Sequence, residues 1–493
     1  MKKNSKYIYG VLLTLIISLF IISCFNTERG ISQLPKDIQT FIYTNTDDLY
    51  FFSSVFMKKN GKVYDLCFDT VRNEDHLSSI IHKNNLLFSC QSIEEKEDLN
   101  NINIFSNTER ALSLLKQNPW KIHIPDSIAF NYLLPYKVLF EKTGNWQKIF
   151  NDNFGSVLNH VPNTKLSKRQ IDSLIEVNVI KLDTGHIFTG RESIYRICSW
   201  PGISEMMMAK SGDCQSESIK NVYLYRSLGI PAAIDFTPFY GGGNAGHSSA
   251  VFWDSDLQKF RAKAGQGFNP DYRVSKVFRW SFKKTNVLKN KILPYLSANM
   301  YFPIEELQNN HWIDVTEDHT QVKDLSLNIP EAYGKIAFIC TYTYGKWKPI
   351  FYGIKTKDSN FQFTKMATDV LYRGAYYDNK GQIKMQNAVF ILKKDGTTEI
   401  VNKEKTAKNI KVELQRNNYG GEAWVKRDKK YSLLGLNING EWDTVFTQKS
   451  HQDSLISFPK TKSTYKILAL MEHSANRRLE RPFLIYKDSI VWY

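Results

Sequence analysis

One segment near the middle of the chain constrains the fold more than any other. It reads Ser211-Gly212-Asp213-Cys214-Gln215-Ser216-Glu217 and ends in Leu228-Gly229-Ile230-Pro231. Asp213 and Ser216 are residue types that cap helix N-termini, and Gly229 followed by Pro231 is a typical helix stop. The segment therefore predicts a short helix with Cys214 in or beside its first turn.

A histidine follows this helix at a spacing that suits cysteine chemistry. Residues 232–236 predict a strand, residues 241–244 form a glycine-rich loop, and His247 opens an alternating run that reaches Trp253. Unpaired N–H groups and the dipole at a helix N-terminus favour a thiolate, and a base on a neighbouring strand can reach back to it. Cys214 and His247 are therefore the candidate nucleophile and base.

These residues resemble the transglutaminase-like superfamily, whose papain-like core has a G-x-C helix start, an L-G-I-P helix end and a histidine at the head of the next strand. The matching residues are Gly212, Cys214, Leu228, Gly229, Ile230, Pro231 and His247. The resemblance covers about residues 195–275, and residues 134–137 with Trp146 resemble the helical prefix of secreted members. It implies cysteine acyl transfer at peptide or amide bonds. The alternative is a core cysteine with an unrelated histidine.

The third catalytic group departs from that family pattern. Family members place an Asp on the strand after the histidine, but Asp254 lies seven residues from His247 and on the opposite face of its strand. A hairpin turn at residues 255–257 brings Gly265 or Gln266 opposite His247 instead. Gln266 can orient the imidazole through its amide oxygen, although it supplies no charge. The alternative for Gln266 is a solvated loop residue.

The N-terminus has the pattern of an export signal. Residues 1–6 carry three lysines and precede the apolar run Tyr7–Ile22. The stretch Ile21-Ile22-Ser23-Cys24 resembles the lipobox of bacterial lipoproteins, which implies cleavage before Cys24 and a lipid on that cysteine. Acyl chains on Cys24 would hold the protein on a membrane of the cell envelope. The alternative is an uncleaved signal anchor.

The remaining cysteines give no indication of a metal or cofactor site. The other cysteines are irregularly spaced and form no metal motif, and no cofactor motif is present elsewhere. A bridge between Cys67 and Cys90 is one possibility, while ordinary buried thiols are favoured for all four. These four are Cys67, Cys90, Cys198 and Cys340.

The formal net charge is +16, and removal of the three lysines in residues 1–23 leaves 16 − 3 = +13. Such a surface favours anionic lipids, acidic glycans or polyanionic envelope polymers. The basic residues are dispersed and no recognition module is present, so nucleic acid is not an expected partner.

A chain of 493 residues is too long for one core. Capping boxes at Ser106-x-x-Glu109 and Ser167-x-x-Gln170 predict helices, whereas hairpin signals dominate after residue 320. Trp347 and Trp442 stand beside two such hairpin turns, where they either stack on sugars or, as favoured, pack on the sheet. We predict these segments: signal peptide 1–23, tether and mixed region 24–105, helical prefix 106–194, transglutaminase-like core 195–275, connector 276–320, β-sandwich module 321–416 and second β module 417–493.

The predicted fold class is α+β: a papain-like transglutaminase core with a helical prefix, followed by antiparallel β-sandwich modules, or two halves of one. Two functions fit. The first is an envelope lipoprotein whose Cys214, His247 and Gln266 catalyse acyl transfer on a peptide or protein. The second is an inactive transglutaminase-like scaffold that binds glycan or protein.

Overall fold

The protein is a mixture of helices and antiparallel sheets, with 29% helix and 35% strand. This mixture agrees with the α+β expectation. The computed structural model describes residues 30–64, 66, 71, 73–95, 99, 101–182, 200–210, 212–263, 267–402, 408–415, 425–473, 479–486 and 489–493.

The chain divides into two compact units that interleave along the sequence. The helical unit comprises Met1–Ile234, Ala250–Gln266 and Ser281–Lys283, and the strand-rich unit comprises Asp235–Ser249, Gly267–Trp280 and Lys284–Tyr493. This division is coarser than the seven segments predicted from the sequence.

The helical unit contains eight described helices and a three-stranded antiparallel sheet of order β2-β1-β3. The helices are α1 (Lys36–Thr46), α2 (Glu74–Asn84), α3 (Ile102–Gln117), α4 (Asp126–Tyr132), α5 (Trp146–Phe154), α6 (Lys168–Leu182), α7 (Ile203–Ala209) and α8 (Cys214–Ser227). The strands are β1 (Tyr50–Lys58), β2 (Val63–Tyr64) and β3 (Leu86–Glu94).

Capping residues set the helix boundaries in this unit. The predicted box before α6 is confirmed, because the Gln170 Oε1 atom accepts hydrogen bonds from the Ser167 N–H and hydroxyl at 2.9 and 2.8 Å. The predicted start of α3 at Ser106 is wrong. Asn101 caps α3 one turn earlier, and the extra turn buries Ile104 completely.

Two strands connect the units along the chain. β4 (Ala232–Thr237) begins in the helical unit and ends in the strand-rich one, and β5 (His247–Asp254) runs the other way. In the helical unit, β5 continues through a turn into β6 (Lys259–Ala262). In the strand-rich unit, the end of β4 pairs with β7 (Phe278–Trp280), and β7 pairs with β8 (Trp312–Asp314).

The short helix α9 (Thr316–His319) follows β8. The segment predicted as a connector thus contains β7, β8 and α9. The other strands of this unit are β9 (Val322–Asn328), β10 (Ile336–Thr343), β11 (Lys346–Lys355), β12 (Asn360–Ala367), β13 (Leu371–Tyr377), β14 (Ile383–Leu392), β15 (Thr398–Ile400), β16 (Lys408–Gln415), β17 (Lys430–Leu436), β18 (Trp442–Lys449), β19 (Leu455–Ser463), β20 (Ile467–Glu472), β21 (Phe483–Tyr486) and β22 (Ser489–Trp492).

These strands form three antiparallel sheets, of order β15-β14-β13-β10-β11-β12-β9, β16-β19 and β18-β17-β20-β21-β22. The hairpin signals predicted after residue 320 are confirmed, with turns at Tyr344-Gly345, Asp378–Gly381, Asp395-Gly396 and Asn439-Gly440. Trp347 and Trp442 are partly buried and pack against a core that joins two of the sheets, so the packing alternative is confirmed for both.

No helix in the described part of the chain combines the length and apolar character needed to cross a membrane.

Candidate active site

Cys214 is the first residue of α8, where the sequence predicts it. Its half-buried thiol is not in a disulfide, and the Asp213 carboxylate caps the helix by accepting the Ser216 N–H at 2.9 Å. The N-terminal N–H groups and dipole favour a thiolate here, whereas the neighbouring carboxylates of Asp213 and Glu217 oppose one. The position therefore suits a nucleophile, although its electrostatics are mixed.

Buried polar contacts fix α8 within the helical unit. The Tyr223 ring stacks on Trp146 with ring centroids 4.6 Å apart, and its hydroxyl donates to the buried Glu141 carboxylate. Near the end of the helix, the Arg226 guanidinium donates to the carbonyls of Lys137 and Ala232 at 2.9 to 3.1 Å. These contacts hold the helix at both its middle and its end, so Cys214 stands on a rigid support.

A tight loop leads into His247, the first residue of β5. The Gly241 N–H donates to the Arg273 carbonyl at 2.7 Å, and the Tyr240 N–H donates to the Ala245 carbonyl at 3.0 Å. A side chain on Gly246 would place its Cβ only 2.3 Å from the Pro238 carbonyl oxygen. Only glycine fits there, and the loop therefore delivers His247 in one conformation.

The imidazole of His247 is half-buried between aromatic rings of the strand-rich unit. Tyr240 stacks on it with centroids 6.1 Å apart, and Phe268 meets it edge-on at 5.8 Å. Among the described residues of that unit, no side chain or backbone group forms a hydrogen bond with the ring. Burial lowers the pKa of His247, so the ring is a neutral proton acceptor at pH 7.

The predicted third group, Gln266, lies outside the described residues. The predicted β5–β6 hairpin is confirmed, with Asp254 opposite Lys259. Asp254 accepts hydrogen bonds from the N–H groups of its own turn and from Arg261 at 3.1 Å. Asp254 therefore stabilises the turn.

A buried cluster of charged residues in the strand-rich unit was missed from the sequence. The Asp235 carboxylate on β4 is fully buried, accepts two hydrogen bonds from Arg279 at 2.7 and 2.9 Å, and lies 2.7 Å from the His319 Nε2 atom. Burial acts to raise the pKa of Asp235, but Arg279 and His319 outweigh burial and hold it below its usual value. Phe268, which contacts His247, also packs edge-on against His319 at 5.0 Å.

One signal in the sequence pointed to this cluster. Asp235 interrupts the apolar strand 232–236, and a carboxylate in such a strand needs a buried partner. Its partners follow 44 and 84 residues later, so no local pattern identifies them.

The other two described cysteines, Cys90 and Cys340, differ in whether they form a disulfide bond. Cys90 is disulfide-bonded, so the expectation of a buried thiol there is wrong. Cys340 is a free buried thiol, as predicted, and burial raises its pKa. Cys24, Cys67 and Cys198 lie outside the described residues. Within the described chain, no group of His, Cys, Asp and Glu side chains is arranged to hold a metal ion.

Comparisons with known proteins do not assign this chain to a family. No family model matches this chain, and no curated protein matches it. Among solved structures, red sea bream transglutaminase aligns with 72% of this chain and 74% of its own length, at 9% identity and a TM-score of 0.19. A tetra-tandem repeat from the extending region of a large adhesion protein aligns with 50% of this chain and 64% of its own, at 11% identity and a TM-score of 0.12. Scores this low support no conclusion about fold or function.

Proposed function

We propose that this protein is a lipid-anchored envelope protein with a transglutaminase-like domain, in which Cys214 and His247 transfer an acyl group from a peptide or amide. The observation that carries the proposal is the position of a half-buried, reduced cysteine at the first residue of a capped helix. The neutral imidazole of His247 and the matching G-x-C and L-G-I-P residues support it.

The chemistry proceeds in two steps and needs no cofactor. The Cys214 thiol gives its proton to the His247 imidazole, and the thiolate attacks the carbonyl carbon of the substrate. The Cys214 backbone N–H helps to stabilise the oxyanion. The C–N bond then breaks, and the amine leaves with the proton from His247. Water or a second amine then attacks the thioester while His247 takes its proton. The C–S bond breaks, an acid or a new amide is released, and His247 returns the proton to the Cys214 thiolate.

The rate of iodoacetamide alkylation between pH 5 and 9 tests this pair. We expect wild-type Cys214 to react faster at pH 7 than a model thiol of pKa about 8.5. Cys214→Ser should abolish the fast phase, and His247→Gln should move its inflection to higher pH. The buried Cys340 provides an internal control, because it should react only after unfolding. A wild-type rate equal to that of the model thiol and unchanged in His247→Gln would contradict the proposal.

The proposed lipid anchor has a separate test. Cys24→Ser should abolish labelling by a fatty-acid analogue and release the protein from membranes, because the attachment depends on acyl chains. Unchanged membrane association with an uncleaved N-terminus would identify a signal anchor instead.

An inactive scaffold that binds glycan or protein is the second candidate. It is favoured by the aromatic surroundings of His247, in which no described residue of the same unit forms a hydrogen bond with the ring. Gln266→Asp separates the two candidates. If Gln266 faces the imidazole, the new carboxylate should stabilise imidazolium and modestly accelerate alkylation of Cys214. A scaffold predicts no change.

A further inference from the structure

The helical unit contains a cavity of about 730 Å³ whose lining residues come from β1, β2, α7 and the starts of α3 and α5. Cys214 does not line it. Cavities of this size commonly hold small ligands and bury most of their surface. Its lining joins polar and charged side chains to a few apolar ones, so its chemistry restricts what can bind.

Glu205 is the acidic residue of the lining, and only 5% of its surface is exposed. Its carboxylate accepts hydrogen bonds from the Ser54 hydroxyl and N–H and from the Gly202 N–H, and Lys142 is the charged group near it. Burial, the largest effect, raises the pKa of Glu205 to about 7. The cavity therefore contains a carboxyl group that gains or loses its proton near neutral pH.

Two lysines supply positive charge to the same cavity. Lys142 is exposed and forms no ion pair with a described carboxylate, whereas Lys148 pairs with Asp152 at 2.5 Å and remains 68% exposed. Because both side chains are exposed, they can turn toward a bound anion without disrupting the fold. The charge of the cavity therefore favours a ligand that carries a negative group.

The remaining lining favours a ligand with several hydroxyl groups. Asn103 and Asn145 each offer an amide, and Thr143 has a buried hydroxyl with no partner in the described structure. Tyr64 adds an aromatic face, against which the C–H groups of a sugar ring can pack. Amide and hydroxyl groups beside one aromatic ring suit a saccharide better than an aliphatic acid.

We propose that this cavity binds an acidic saccharide of one or two rings, whose carboxylate lies near Lys142 and Lys148 and whose hydroxyls bond to the amide and hydroxyl side chains. This binding is independent of the proposed Cys214 chemistry. Cys214→Ser should therefore leave it unchanged, and the two proposals can fail separately.

Calorimetry with the full chain and digalacturonic acid tests the proposal, with cellobiose, acetate and Ala-Ala as matched probes. We expect binding of digalacturonic acid alone. The double variant Lys142→Ala/Lys148→Ala should weaken it by about tenfold or more through loss of the charge contacts. Lys116→Ala, on α3 outside the cavity, is the control and should bind normally. Absence of binding, equal binding of any other probe, or an unaffected double variant would overturn the proposal.

The pH dependence adds a second readout. A bound anion disfavours ionised Glu205, so binding should take up a proton and weaken by roughly three- to tenfold between pH 6 and pH 8. Glu205→Gln should bind with little dependence on pH. A wild-type affinity that is constant from pH 6 to 8 would place the ligand away from Glu205 and contradict this site.

Discussion

The supports of Cys214 and His247 are built on very different scales. The start of α8 is held by its own neighbours: Asp213 caps Ser216, and the Ser218 hydroxyl donates to the Cys214 carbonyl at 2.7 Å. The loop before His247 is held by residues from distant parts of the strand-rich unit. The first turn around Cys214 is therefore a local structure, although distant residues hold the rest of α8. The loop before His247 is instead a property of the whole unit.

Arg481 illustrates the second kind of support. Arg481 is only 1% exposed, and its guanidinium donates to the carbonyls of Gly241, Gly243 and Tyr493 at 2.7 Å each. Gly241 lies 240 residues earlier in the chain. Burial lowers the pKa of Arg481 to about 9, so it remains charged at pH 7. The loop next to His247 thus depends on a buried cation near the C-terminus, and we expect remote substitutions to disturb His247 more than Cys214.

The largest expected effect comes from Asp235, next to the rings that contact His247. Asp235→Asn should lower the free energy of unfolding by about 4 kcal/mol, because it leaves the buried Arg279 without its anion. Urea denaturation at pH 7 measures this change. Asp428→Asn, an exposed acid of the same unit, is the control and should change stability by less than about 0.5 kcal/mol.

The same substitution has a pH signature. The folded pKa of Asp235 lies below its usual value of 3.8, so its ionised form stabilises the protein above that value. This contribution is lost as the pH falls below about 4. Asp235→Asn should therefore flatten the loss of stability in that range, and an unchanged acid profile would show that the carboxylate is not stabilised by its partners.

Arg481 gives the next largest effect. Arg481→Met should destabilise the protein by about 3 kcal/mol, because several buried carbonyls lose a charged donor. It should also loosen the loop and hydrate His247, whose pKa, followed by NMR, should rise toward 6.5. Arg427→Met, at an exposed site, should change neither quantity. A destabilised variant with an unchanged His247 pKa would disprove the link between this loop and the histidine.

Substitution of Gly246 tests whether the loop before His247 can accommodate a side chain. Gly246→Ala should cost about 2 kcal/mol in unfolding free energy, because its Cβ would overlap the carbonyl oxygens of Thr237 and Pro238. Gly202→Ala is the matched control, since its Cβ would meet Lys142 at an ordinary 3.6 Å. Equal melting temperatures for the two variants would mean that the loop adapts easily.

The sequence predicted well what neighbouring residues determine. Local signals located α8 and His247 at the start of β5, and Gly345 marked a hairpin turn. The predicted start of α3 was wrong because Asn101 and Ser106 are both helix-capping residue types. The start at Asn101 is favoured because it buries Ile104. The contact of Asp235 with Arg279 joins residues 44 positions apart, and that of Arg481 with Gly241 joins residues 240 positions apart. No local pattern specifies such pairs. The first turn that carries the nucleophile was therefore predictable, while the distant contacts that hold α8 and the loop before His247 were not.

The smallest expected effect concerns Asp213, next to Cys214. Its substitutions distinguish the helix-capping oxygen of this side chain from its negative charge. Asp213→Asn keeps a side-chain oxygen for the Ser216 N–H, so the unfolding free energy should change by only a few tenths of a kcal/mol. It removes a negative charge next to the thiol, so alkylation at pH 7 should accelerate about twofold to threefold. Asp213→Ala removes both cap and charge, and should cost about 1 kcal/mol while accelerating alkylation similarly. If neither variant alters the alkylation rate, the charge at the cap does not influence the thiol, and the local support of Cys214 is structural alone.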